Sequence, residues 1–187
     1  ETCLALVGID SRESRQALLD RMGGSFPMTE VSARGRVRYL ERLRGEGVQV
    51  KPGLVELLDW LASRAVPIAV ATSTQQELAL EKLVLAGLRE RFETIVGGDQ
   101  VPRGKPAPDV YREAIARIGA EPAHCIALED SEIGLRAAHA AGATCIVVPD
   151  LLPPSPEFEP LAHAIVPSLR EAHALLAKML ASGAARA

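Results

Sequence analysis

The chain reads as α/β, a doubly wound parallel sheet carrying a small helical cap. Three observations predict this. From residue 52 onward, short apolar runs alternate with helical patterns, and such alternation builds parallel sheets with helices on both faces. Residues 1–50 instead read as helices without strands. Polar clusters recur where the apolar runs end, which is where open α/β sheets gather their chemistry. The expected division is residues 1–50 for a partial helical cap and 51–187 for the α/β core.

The elements follow from spacing. Helices are expected over 12–22 and 30–44, broken by Gly23-Gly24, with a hinge-like link over 45–53. Leu54, Leu57, Leu58 and Leu61 recur at helical spacing, so a helix covers 54–63. The run 66–71 reads as a buried strand, 76–86 as a helix stopped by Gly87, and 94–96 as a strand ending in Gly97-Gly98. Pro108 opens the next helix, since proline is tolerated in a first turn. Strand 125–128, helix 132–141, strand 144–148, strand 164–166 and helix 169–180 complete the order, and 182–187 is expected to fray. Residues 150–160 hold four prolines and form a stiff loop beside the strand ends.

Composition narrows the function classes. Of 187 residues, 48% are apolar and 24% charged, a normal balance for a globular chain. A formal net charge of -3 lacks the basic face of a phosphate-backbone binder, and 3% aromatics leaves few stacking platforms, so no nucleic-acid partner is expected. No apolar run approaches the roughly 20 residues that span a bilayer, so no membrane role is expected. Cys3, Cys125 and Cys145 are odd in number and widely spaced, and read as small buried residues. Reduced cysteines suit a reducing compartment, no signal-peptide pattern is seen, and a cytoplasmic location is expected. His124, His139, His163 and His173 show no metal-ligand spacing.

The chemistry concentrates in three places. Ile126-Ala127-Leu128-Glu129-Asp130-Ser131 ends an apolar run in two adjacent carboxylates. Such acids repel and desolvate badly, and a hard cation such as Mg²⁺ compensates through carboxylate oxygen. Read alone, the pair is equally consistent with an N-cap at Asp130 or Ser131. Thr72, with Ser73 and Thr74, offers hydroxyls and backbone N–H groups to an anion at a strand end; alone, the triplet suits ordinary capping better. Lys105 sits in Gly104-Lys105-Pro106-Ala107-Pro108-Asp109, where two prolines and a glycine fix the backbone and so the reach of the ammonium. A solvated surface lysine is the competing reading. Gly134, Ala137, Ala138 and Ala141 let the following helix lie close to the sheet, which is packing rather than chemistry. Hydroxyl, ammonium and carboxylate pair on one sheet edge suit phosphoryl transfer, where positioning and charge neutralisation supply most of the catalysis.

Thr72, the Gly104–Asp109 segment and Leu128-Glu129-Asp130-Ser131, in this order, resemble motifs two, three and four of the haloacid dehalogenase superfamily. The likeness runs over residues 52–176 and is greatest to the beta-phosphoglucomutase-like and sugar-phosphatase branch, with its Rossmann-like core and helical cap. The resemblance implies that Thr72 hydrogen-bonds the transferring phosphoryl group and that Lys105 bridges its oxygens and a nucleophilic carboxylate. It implies that Glu129 and Asp130 hold Mg²⁺, and that Ser73 and Thr74 touch phosphate or substrate. A Mg²⁺-dependent phosphatase of a small phosphorylated metabolite, sugar- or polyol-phosphate-like, is the expected activity. A phosphomutase and a non-catalytic binding module are the alternatives, and a monomer or weak dimer is the expected state.

One departure stands out. The family's first motif, Asp-x-Asp-Gly on the first strand, supplies the nucleophile, and no such segment occurs here. Asp10 in Gly8-Ile9-Asp10-Ser11-Arg12 follows no apolar strand and is not promoted; residues 8–19 instead resemble a cap segment. The sequence is therefore expected to start inside the cap. In the family the first strand lies between the strands ending at Thr72 and at Asp130, so those two should not pair directly. Arg12, Arg36 and Arg38 are candidates for a second anionic or hydroxylated group of the substrate, each competing with a solvated helix arginine.

Overall fold

Alternation of side chains along one strand explains how the layers stack. In the strand Thr144–Val147, Cys145 and Val147 belong to one buried cluster, with Val110, Tyr111, Ala114, Leu135 and Ala138. Ile146, and Val148 just beyond, belong to another, with Leu57, Ala172 and Leu176. Successive residues of a strand point to opposite faces, so helices cover the sheet on both sides. This computed structural model describes residues 11–23 and 26–182, with side chains from residue 16. The expectations for Cys3, Gly8, Asp10, Gly24 and the Arg12 side chain, and for 183–187, fall outside those residues.

The elements are α1 (Ser11–Met22), α2 (Met28–Glu46), α3 (Leu54–Ala62), β1 (Ala69–Ala71), α4 (Gln76–Leu85) and β2 (Thr94–Val96). Then come α5 (Asp109–Arg117), β3 (Ile126–Glu129), α6 (Glu132–Ala140), β4 (Thr144–Val147), β5 (Ala164–Ile165) and α7 (Leu169–Ala181). All pairings are parallel. β1 pairs β2 from Ala69↔Thr94 to Ala71↔Val96. β3 pairs β4 from Ile126↔Thr144 to Glu129↔Val147, and β4 pairs β5 at Ile146↔Ala164 and Val147↔Ile165. The two groups of strands are not hydrogen-bonded to each other among the described residues, so β1 and β3 do not pair directly.

Differences from the predicted elements have local causes. The strand expected over 66–71 pairs only at Ala69–Ala71, because Pro67 has no N–H to give a ladder. Pro108 precedes α5 rather than opening it. Gly87 and Gly119 follow α4 and α5 with φ of +67° and +68°, the left-handed backbone that ends a helix. Cys145 is buried as expected, and burial pushes its thiol up to about 12, so it stays protonated. Cys125 is only half-buried, its Sγ 3.3 Å from the Glu121 carbonyl. None of the described helices is long and apolar enough to cross a membrane.

α2 departs from the rest. Met28 is its single buried residue. It lies over α4 through charged contacts: Arg36 donates to Gln75 Oε1 and Glu77 Oε2, each at 3.1 Å, and Arg44 donates to Glu81 Oε1 at 2.5 Å.

Candidate active site

Two strand ends and one loop make the floor of a cavity. β1 runs into Thr72, whose N–H still bonds the Val96 carbonyl at 3.0 Å. The chain then turns sharply, and the Thr74 N–H donates to Thr72 Oγ1 at 3.1 Å. This turn is pressed against the end of β2. The Gly98 N–H donates to the Thr74 carbonyl at 3.0 Å, and a Cβ on Gly98 would lie 2.6 Å from the Ser73 carbonyl oxygen. Glycine is required there by close approach. The N–H at the start of α4 is capped from outside, since Gln76 N–H donates to Asp99 Oδ1 at 2.8 Å. Asp99 thus holds the first N–H of α4, while the Thr72 hydroxyl accepts within the turn before it.

Lys105 crosses the gap between the two groups of strands. It is 7% exposed, so the surface-lysine reading falls away. Its Nζ donates to the Ala71 carbonyl at 3.1 Å and to Glu129 Oε1 at 2.5 Å. The buried Glu129 Oε1 also accepts from the Tyr111 hydroxyl. Burial, and then the Glu129 charge, hold the Tyr111 hydroxyl well above its ordinary pKa, so it remains a donor. The other carboxylate oxygen, Oε2, lies 3.3 Å from the Asp130 N–H and 3.4 Å from the Ser131 hydroxyl. Ser131 caps α6, accepting from the Gly134 N–H at 3.2 Å. Ser131 thus takes the capping role, and Asp130 does not cap α6.

Asp130 differs from its neighbour. It faces the cavity, and desolvation first, then the Glu129 charge, raise its pKa, while Lys105 opposes the rise and Asp150 adds to it. An acid with unfavourable surroundings at a cavity wall is a fit for a hard cation. Among the described residues no three His, Cys, Asp or Glu side chains cluster as a complete metal cage. Mg²⁺ needs none, because it is bound by one or two carboxylates while keeping waters and substrate phosphate as its other ligands. Asp130 with Glu129 beside it is such a donor set.

All six residues singled out from the sequence (Thr72, Ser73, Thr74, Lys105, Glu129 and Asp130) line one cavity of about 1130 Å³. Arg36 joins them from α2, whereas Arg38 is exposed and does not line it. Three contributors were not expected. Tyr111 reads in sequence as an apolar residue on the buried face of α5. Gly134 reads as a packing glycine, yet a Cβ there would overlap the Glu129 carboxylate. Lys51, in the link before α3, also lines the cavity and pairs with Asp150 Oδ1 at 2.6 Å. The signal for Gly134 was its place five residues after the first carboxylate; nothing local marked Tyr111.

Comparison with known proteins identifies the family. The sequence model of the family described as haloacid dehalogenase-like hydrolase matches residues 1–148. Protein CbbY of Rhodobacter capsulatus is 38% identical over 116 residues, 60% of this chain and 51% of that protein. The phosphorylated carbohydrates phosphatase of Thermotoga maritima is 32% identical over 137 residues, 73% of this chain and 63% of that protein. The chain thus spans only part, about half in the first case, of the curated relatives it matches. A CbbY mutant from Rhodobacter sphaeroides, crystallised with xylulose-(1,5)bisphosphate, superposes with a TM-score of 0.71 at 29% identity. That match covers 91% of this chain and 84% of the other.

Proposed function

The chain belongs to the haloacid dehalogenase-like hydrolases, in the branch of CbbY, beta-phosphoglucomutase and the sugar phosphatases, and on that premise we propose that it serves a Mg²⁺-dependent phosphatase of a small phosphorylated sugar or polyol. One observation carries the reading. Lys105, Thr72 and Asp130 arrive from three separate segments and line one cavity.

In this reading the Lys105 ammonium neutralises the phosphoryl oxygens at a buried position, where a fixed charge acts more strongly than in water. The Thr72 hydroxyl donates to a phosphoryl oxygen, and Ser73 and Thr74 hold phosphate or substrate beside it. Asp130 and Glu129 are the residues that hold Mg²⁺, which supplies charge neutralisation on the transferring group. The phosphoryl group passes through an aspartyl-phosphate on a carboxylate outside the residues named here, and water then hydrolyses it. No Asp-x-Asp-Gly occurs among the 187 residues, so these residues alone are expected to be inactive. In this reading, residues 1–50, which include α1 and α2, act as a cap that excludes bulk water and selects the substrate. Arg36 is its candidate for the substrate's far end. The relatives act on phosphorylated carbohydrates or are crystallised with a sugar bisphosphate, which supports the same substrate class here.

The test is phosphate release by the full-length protein from an aryl phosphate and a panel of sugar phosphates. Turnover that needs Mg²⁺ and stops with EDTA is the expected result. Phosphate moved to a second sugar position instead of to water would replace the phosphatase with a mutase. No turnover across the panel would overturn both in favour of a binding module.

A further inference from the structure

We propose that the Tyr111 hydroxyl is a positioning group for Lys105, acting through Glu129. The proposal deepens the reading above, in which Lys105 is the phosphoryl-binding cation.

Three polar side chains from three segments meet at Tyr111, a member of the first apolar cluster. Lys105 comes from the loop after β2, Tyr111 from α5 and Glu129 from the last position of β3. They are 7%, 8% and 8% exposed. Glu129 Oε1 takes both donors, the Lys105 ammonium and the Tyr111 hydroxyl. The Lys105 Nζ also stands 4.8 Å from the centroid of the Tyr111 ring. Tyr111 therefore touches the ammonium through its ring face and holds the ammonium's counter-ion through its hydroxyl.

The consequence is geometric. The terminal torsion of a glutamate is broad and sets no orientation by itself. Two things set it here. The Tyr111 hydroxyl fixes Oε1, and Gly134 leaves room on the other side for Oε2. With the carboxylate fixed, two of the three ammonium N–H groups are spent on Glu129 Oε1 and the Ala71 carbonyl. The third is left for a ligand in the cavity that Lys105 lines. Loss of the hydroxyl frees the carboxylate to turn, and the ammonium loses its fixed direction. Tyr111 does not touch the reacting group, since it is absent from the cavity lining. Its effect passes through Glu129.

The experiment is Tyr111→Phe in the full-length protein, with two readouts. The first is independent of activity: acetylation of lysines by acetic anhydride, read peptide by peptide by mass spectrometry. Lys105 is expected to label about fivefold faster or more in the variant, as its buried ion pair loosens, with Lys82 and Lys178 unchanged. The second is kinetic: kcat is expected to fall about tenfold, the scale seen when an outer partner of a working group is removed, with KM held within about twofold. In a Glu129→Gln background, Tyr111→Phe is expected to change Lys105 labelling no further. Unchanged Lys105 labelling would overturn the proposal. So would an equal rise at every lysine, a Tyr111→Phe protein that does not fold, or selective labelling with unchanged kcat. Absence of turnover in the unaltered protein would sink the phosphatase reading alone, and the labelling would still decide the role of Tyr111.

Discussion

The floor and the roof of the cavity both carry cations, and they hold them by different physics. On the floor, Lys105 is buried against a buried Glu129, with a tyrosine and a backbone carbonyl completing the set. On the side of α2, the side chains of Arg36 and Arg44 are 44% and 61% exposed and pair directly with glutamates of α4. A buried pair is costly to break because the surviving charge has no water to return to. An exposed pair is worth about 0–1 kcal/mol and is readily exchanged for water or a ligand. Under the proposed function, this difference would give a rigid phosphoryl-binding floor beneath a roof whose contacts are remade as substrates enter.

The largest effect expected is at the floor. Lys105→Ala and Asp130→Ala should each cut the activity of the full-length protein by about a hundredfold or more. Their stabilities should diverge. Removing Lys105 strands the buried Glu129 carboxylate, at a cost of about 3–5 kcal/mol and roughly 10 °C in Tm. Asp130 behaves oppositely. Its folded pKa lies above the ordinary value of 3.8, so its ionised form opposes folding of the metal-free chain, fully above the raised pKa and less as pH falls through it. Asp130→Asn should therefore raise the metal-free Tm at neutral pH, the gain shrinking on acidification, and abolish any Tm increase caused by Mg²⁺. Thermal melts with and without the metal read both outcomes, and matching melts for the two variants would erase the division of labour between Lys105 and Asp130.

Glycines sharpen the comparison at an intermediate scale. Gly→Ala inside a helix ordinarily gains up to about 1 kcal/mol. Gly35, in α2, has open space at its Cβ position, so Gly35→Ala should show that gain. Gly134, in α6, has the Glu129 carboxylate there, so Gly134→Ala should instead lose about 1–3 kcal/mol together with most activity. Chemical denaturation of the two variants should shift in opposite directions; shifts of the same sign would contradict the packing described for Glu129.

The smallest effect is expected on the roof. Arg44→Ala and Arg36→Ala should each change stability by less than about 1 kcal/mol. Arg36→Ala should also raise KM, because Arg36 lines the cavity; Arg44→Ala should not. Large destabilisation by either would mean that the roof is fixed as firmly as the floor.

The legible parts of the site were those written in adjacent residues. Glu129-Asp130 and the proline-bounded Lys105 stand out because the unusual features are next to each other in the chain. The Thr72 triplet was ambiguous, since a hydroxyl before a helix looks like a cap; the deciding donor–acceptor pair, Gln76 with Asp99, is 23 residues apart. Tyr111 was invisible for a related reason. A tyrosine on the inner face of a helix reads as core, and its body is in the core; only the arrival of β3 gives its hydroxyl a carboxylate. Gly134 reads as a packing glycine, whereas the atoms it makes room for are those of the Glu129 carboxylate.

By itself the sequence determined the order of elements, their burial on both faces of parallel strands, and the placing of a hydroxyl, an ammonium and two acids at the strand ends, because apolar periodicity and turn chemistry are local properties. Tertiary structure decided what those groups do for each other. It assigned Glu129 to Lys105 and Tyr111, left Asp130 facing the cavity, and brought Arg36 and Lys51 to the same space. Such pairings depend on which segments share a buried volume, where an unpaired charge is costly and a partner is required.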